Sequence, residues 1–306
     1  MKRVMLFLTM VILALTNASG DEDILLYKVD NSKNLISADT IASSLAEKGY
    51  TVAKNQDMNG PYKRQFQESS FKSYNLMSIY YPSIAKESLL KYAESGLFVP
   101  FSIAVYQREN ENSLYIALLT SDAKEKILNV IDPLFSKLEA LNRKTINKIL
   151  PKAVEIKFDY KPIKTDEKLY TKYSFEVDDE DAIEAYEEFK MLLTEGMKPS
   201  GFVVANYIDY NKELKKDKHD DYLFYDSYSL CKLKIIYELS KTKPEAGAFA
   251  PCTMVVYHKK GSNKTELVSL NINNLTSTLA LKDESLLQML EKAQKDMTAI
   301  IEDASE

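Results

Sequence analysis

One short motif occurs twice in this chain. GLFVPFSIAVYQ begins at Gly96, and GAFAPCTMVVYH begins at Gly247. Each has a glycine, a proline four residues on, and an apolar run that closes on Val-Tyr. Pro100 pairs with Pro251 and Tyr106 with Tyr257, at a constant separation of 151 residues. Self-similarity at a fixed period marks two copies of one folding unit. The expected architecture is therefore two similar domains, and 306 residues suits a prior of about 100–200 residues per domain.

The copies can be traced outward from the motif. A helix is expected from Ser37 to Gly49, with Ile41 and Leu45 on one face, and a strand from Tyr50. In the second copy, DDEDAIEAYEEFKMLLTEG and Gly201–Ala205 take the same places. The acids Asp178 to Asp181 complement the positive end of that helix and lack the spacing of a calcium loop. Tyrosine-rich strands from Phe71 and Tyr222, a short helix, the motif strand, a hairpin and a closing amphipathic helix complete each copy. Asp132-Pro133 opens the first closing helix as N-cap and N1. The unit reads β-α-β-β-α-β-β-α, an α+β antiparallel sheet packed by helices. Residues 21–150 form the first repeat domain and 169–306 the second. Residues 151–168 form a connector in which Val154, Ile156, Phe158 and Tyr160 alternate with polar residues. That alternation predicts an extra strand docked on the second domain.

Residues 1–20 have the layout of a secretory signal peptide. Lys2 and Arg3 precede the apolar stretch Val4–Leu15, and small residues follow up to Gly20. The expected location is exported, periplasmic or secreted, with no stable membrane span after cleavage. No cysteine stands near the cleavage region, which is against a lipoprotein. The net charge of −5 becomes two units more negative without Lys2 and Arg3. A mildly acidic chain lacks the basic footprint of a phosphate-backbone binder, so nucleic acid is not an expected partner.

Cys231, followed by Gly247, Pro251, Cys252 and a Val-Val-Tyr strand, resembles the family of domain of unknown function 302. In the first copy Gly96, Pro100 and Tyr106 hold the same frame, with Tyr80 and Phe101 at the cysteine positions. Gln107 and His258 stand where the family has a strand-ending acid. The resemblance implies an α+β fold like the TATA-binding-protein group. It implies no activity and no DNA binding, because function resides in sites rather than folds.

Three readings of Cys231 and Cys252 stand side by side. An even cysteine count in an exported chain favours a disulfide; buried inert thiols are ordinary core residues; a reactive or metal-binding pair is the sharpest alternative. His258 lies on the same strand face as Cys252, but no zinc-type spacing exists. His258 is expected near solvent at a strand end. No P-loop, nucleophile elbow, dinucleotide fingerprint or H-E-x-x-H is present, so no catalytic residue and no cofactor is assigned. Twenty tyrosines and no tryptophan suggest a tyrosine-lined surface at Tyr74, Tyr80, Tyr225 and Tyr228, with His258 nearby. The expected function is a non-catalytic binding or interaction module for an unknown small molecule or protein. A thiol-dependent redox or metal-handling protein is the alternative.

Overall fold

The computed structural model describes residues 23–157, 160–166, 169–250 and 252–305. The leader at 1–20, and Phe158 and Pro251, lie outside the described residues.

In the first half of the chain come β1 (Ile24–Asp30), α1 (Ala38–Glu47), β2 (Thr51–Asp57), α2 (Asn59–Phe66), β3 (Phe71–Tyr80) and α3 (Pro82–Lys91). A 3-10 helix (Ala93–Phe98), β4 (Phe101–Arg108), β5 (Ser113–Leu119), α4 (Ser121–Leu128), α5 (Pro133–Ile149) and β6 (Val154–Glu155) follow. The second half has β7 (Tyr170–Glu176), α6 (Ala182–Met197), β8 (Val203–Asp209), α7 (Tyr210–Lys216), β9 (Tyr222–Cys231) and α8 (Leu233–Thr242). It ends with a 3-10 helix (Pro244–Phe249), β10 (Cys252–Lys259), β11 (Lys264–Leu270), α9 (Asn273–Thr278) and α10 (Glu284–Ser305).

Local chemistry accounts for the boundaries. Ser37 and Thr40 form a reciprocal capping box on α1, satisfying amides that the first turn leaves orphaned. Asp132 accepts from the Leu134 amide at 2.9 Å, and Pro133 occupies N1 of α5, where its missing N–H costs nothing. Gly49 sits at φ +89° just past α1, a conformation that a side chain disfavours.

The strands form two antiparallel sheets, ordered β2-β3-β4-β5-β1-β6 and β7-β11-β10-β9-β8. Without β6, the two orders coincide. Four short helices enlarge the expected unit: α2 and α7 after the second strand, and α4 and α9 after the hairpin. The connector strand is a correction. Val154 and Glu155 pair with Lys28 and Tyr27 on the first sheet, so the strand is two residues long and docks on the opposite half from the one expected. β1 and β7 are equivalent edge strands of their sheets, and the connector covers β1.

Period-two alternation sends successive side chains to opposite faces. Ile103 and Val105 of β4 face a core completed by Ile41, Leu45, Leu134 and Ile146. Met254 and Val256 of β10 face the corresponding core with Tyr186, Phe189, Leu193 and Ile301. The intervening residues, Ala104 and Tyr106 in one strand and Val255 and Tyr257 in the other, belong to a single core drawn from both halves. Both faces of each motif strand are thus buried, which is why the strands read as near-continuous apolar runs.

The two halves interlock through the repeated motif. The 3-10 helix of each half packs on the motif strand of the other. Tyr74 donates to the Pro244 carbonyl at 3.0 Å, and Tyr225 donates to the Ala93 carbonyl. Tyr106 donates to Glu245 at 2.6 Å, while Tyr257 reaches Glu94 at 3.4 Å. Each pair maps onto the other by the 151-residue separation. Gly96 and Gly247 lie at the closest approach, with almost no room for a Cβ.

Candidate functional site

Cys231 ends β9 and Cys252 begins the neighbouring β10, yet they form no bond: both are free thiols. The register gives the reason. Cys252 stands opposite Leu230, not Cys231, so alternation assigns the two cysteines to opposite faces. This corrects the disulfide expectation. Burial pushes the Cys231 thiol up to about 12; the Cys252 thiol is raised too by the atoms packed around its sulfur, although the residue itself is exposed at the start of β10. A nucleophilic or ligating cysteine needs the reverse shift, toward thiolate. Among the described residues, no cluster of three or more His, Cys, Asp or Glu side chains is placed to hold a metal ion.

What the cysteines share is a cavity. Both border a space of about 120 Å³ at the strand ends, closed by α8, α9, α10 and the 3-10 turn. Its wall is mainly apolar, with Phe202, Ile235, Ile236, Phe249, Leu275 and Met297 among the residues. The first half has a space built from the equivalent elements, bordered by Tyr80, Ile84, Ala85, Phe98, Phe101 and Lys124, with only about 20 Å³. Tyr80, Phe101 and Lys124 occupy the positions of Cys231, Cys252 and Leu275. Two rings and a long side chain fill what two thiols and a leucine leave open.

Lys124 is almost entirely buried. Its Nζ contacts the Leu119 carbonyl at 3.3 Å and lies 5.0 Å from the centre of the Phe101 ring. Burial lowers its pKa to about 8. The sequence signal was present: Lys124 shares a helical stripe with the buried Ile127 and Leu128.

The predicted tyrosine surface is not assembled. Tyr74 and Tyr225 are fully buried in the core between the sheets. Tyr228 points to the other face, where it and Tyr186 are hydrogen bonded at 2.5 Å, while Tyr186 and Tyr207 both donate to the buried Asp226. Tyr80 alone remains beside a space, the small one of the first half. His258 is wholly buried rather than near solvent. Its Nδ1 lies 3.0 Å from Thr265 Oγ1 and its Nε2 lies 3.0 Å from Asp179, which also accepts from the Gly261 amide. The histidine therefore ties the segment before α6 to the β10–β11 hairpin. Gln107 is also buried, bonded to Asn31 and to the Glu111 carbonyl.

A larger cleft of about 440 Å³ lies at the seam between the halves. It is bordered by the edge strands β2 and β8, the N-terminus of α8, and Met58, Pro61 and Leu76. Neither Lys54 nor Lys234, which border it, carried any signal in the sequence, because the seam exists only once both halves are packed. No helix among the described residues is long and apolar enough to cross a membrane.

Residues 180–304 match the family model described as domain of unknown function DUF302. That part of the chain is a DUF302 domain. Both cysteines, the 120 Å³ cavity and His258 fall within this DUF302 segment. A crystal structure described as an uncharacterized conserved protein DUF302 from Bacillus stearothermophilus has 18% identity and a TM-score of 0.36 to this chain. It covers 46% of this chain and 100% of its own. No curated protein matches the chain.

Proposed function

We propose that this chain is a non-catalytic binding module whose ligand is a small apolar molecule held in the 120 Å³ cavity of the DUF302 domain. In this reading the first half is a diverged copy of the same unit, kept as a scaffold. The observation that carries the proposal is the contrast in volume: about 120 Å³ around Cys231 and Cys252 against about 20 Å³ around Tyr80 and Phe101. Protein cores are close-packed, and a void that size is unusual unless something fills it. An apolar cavity of about 150 Å³ is sufficient to take benzene or xenon. The proposed site of action lies outside the cytoplasm, which rests on Lys2, Arg3 and the apolar stretch that follows.

The test is titration of isotopically labelled protein with benzene, followed by amide chemical shifts. Saturable shifts confined to α8, α10 and the turn Pro244–Phe249 are expected. The double variant Cys231→Tyr, Cys252→Phe carries the side chains of the first half and should lose them while keeping its fold. Absence of saturable shifts in the native chain, or equal binding by the filled variant, overturns the reading.

A further inference from the structure

The cleft at the seam has a chemistry of its own. Lys54, Lys232 and Lys234 border it, and no carboxylate among the described residues does so. This is a local inversion in a chain whose acidic residues outnumber its basic ones, 45 to 40. Lys232 is held by Asp296 at 3.3 Å. Lys54 and Lys234 are exposed and make no ion pair among the described residues, one contributed by each half of the chain. The remainder of the wall combines apolar side chains, chiefly Met58, Leu76, Val203 and Leu233, with the uncharged polar residues Gln56, Gln65, Ser78 and Asn206.

The backbone is shaped for this arrangement. β2 shifts register between Val52 and Lys54, and β8 shifts between Val204 and Asn206. A bulge in an edge strand re-aims the side chains beside it. Lys54 and Asn206 each follow such a bulge, and both border the cleft. The Asn206 side-chain nitrogen is buried without a hydrogen-bond partner, so a donor stands unused in the wall. A volume of 440 Å³ falls within the range of about 300–1,000 Å³ typical of small-molecule sites.

We infer that the seam binds a small amphiphilic anion, its acid group between Lys54 and Lys234 and its apolar body against Met58, Leu76 and Val203. Two unpaired ammonium groups and a free amide donor recognise the charge, and the apolar wall takes the chain. Cys231 and Lys232 border both this cleft and the cavity proposed above, but Lys54 and Lys234 border the cleft alone, so a dependence of binding on those two lysines distinguishes the sites.

Isothermal titration with decanoate tests it, with decanol and decyltrimethylammonium as neutral and cationic probes of equal chain length. Decanoate is expected to bind at one site, weakening at least tenfold in Lys54→Ser, Lys234→Ser and on raising salt. Decanol should be indifferent to those changes, and the cationic probe should be rejected. Both lysines are exposed and unpaired, so the variant should retain the native circular dichroism spectrum. No saturable decanoate binding overturns the inference, as does equal affinity in the double variant or competition by the cation. Decyl sulfate then separates a carboxylate-selective site, in which it binds weakly, from a general anion site, in which it matches decanoate.

Discussion

A Cβ placed on Gly96 would lie 2.1 Å from the hydroxyl oxygen of Tyr225. That hydroxyl cannot retreat easily, since Tyr225 is fully buried and stacked on Tyr257 with ring centres 5.5 Å apart. Overpacking a close-packed core costs about 1–3 kcal/mol, and the separation here is shorter than any relaxed contact. Gly96→Ala is expected to destabilise by about 3 kcal/mol, read from the midpoint of urea unfolding. Tyr225→Phe alone should cost about 1 kcal/mol for the hydrogen bond lost to Ala93. The double variant should be less destabilised than the sum, because removing the hydroxyl relieves the shortest contact and leaves Val255 Cγ1, at 2.8 Å, to give way. Strict additivity would mean that the two residues do not meet.

Gly247 repeats the relationship with Tyr74, its built Cβ standing 2.8 Å from the Tyr74 hydroxyl and 2.6 Å from the Ala104 Cβ. Here backbone-proximal atoms are involved as well, and Ala104 cannot rotate away. Gly247→Ala should therefore resist rescue by Tyr74→Phe to a greater extent than Gly96→Ala resists rescue by Tyr225→Phe. Comparing the two coupling energies in double-mutant cycles checks this.

Lys124 makes stability depend on alkaline pH. Its folded pKa of about 8 lies below the ordinary 10.5 because burial disfavours the ammonium form. Between those values the unfolded chain binds more protons, so stability rises as pH rises. Below about pH 8 the folded state carries the full penalty of a buried charge. Lys124→Met removes it, and at pH 7 should stabilise by up to about 3 kcal/mol, taking 1.36 kcal/mol per pKa unit. The advantage should shrink from pH 8 to 10.5. A difference that stays constant over that window would show that Lys124 gains its charge freely in the folded chain.

Much of the fold was legible because its signals are local. Each copy of the motif, the Asp132-Pro133 start of α5 and the Leu134, Leu138 stripe depend on residues close in sequence. The 151-residue offset also transfers correctly onto Tyr74 and Tyr225, Gly96 and Gly247. What the sequence could not supply was the direction in which paired residues face. Cys231 and Cys252 occur at a spacing that suits a disulfide, but a one-residue difference in register puts them on opposite faces of the sheet. His258 was expected near solvent because it ends a strand, and the loop bearing Asp179 covers it. The seam cleft was invisible for a different reason: Lys54 and Lys234 lie far apart in the chain, and only tertiary packing makes them neighbours of one space.

The cysteines offer a direct chemical check. Denatured without reductant and treated with iodoacetamide, the protein should gain two labels, one each on Cys231 and Cys252. In the native state at pH 7.5 Cys231 should label slowly, since burial raises its thiol to about 12, and the exposed Cys252 should label first. Zero labels after denaturation would establish a disulfide and contradict the register. Rapid labelling of Cys231 in the native protein would place that thiol in an activating environment that the fold does not provide.

Asp132 contributes to the acid limb. Its carboxylate accepts from Lys91 Nζ, from the Tyr92 hydroxyl at 2.8 Å and from the Leu134 amide at 2.9 Å. The hydrogen bond from Lys91, with those from the Leu134 amide and Tyr92, lowers its pKa from 3.8 to about 2. A depressed carboxylate contributes stability that is complete above its unfolded pKa and is lost as pH falls through the folded one. The contribution should therefore be whole at pH 5 and should decline between about pH 4 and 2. Asn at the same place can still cap α5 but carries no charge for Lys91, so Asp132→Asn isolates the electrostatic part. The variant should be less stable than the native chain at pH 7, and the gap should close as pH approaches 2. Following the difference between the two proteins cancels the other carboxylates, which titrate in both. A gap that is as wide at pH 2 as at pH 7 would mean that Asp132 acts only as a cap and that the Lys91 contact adds nothing.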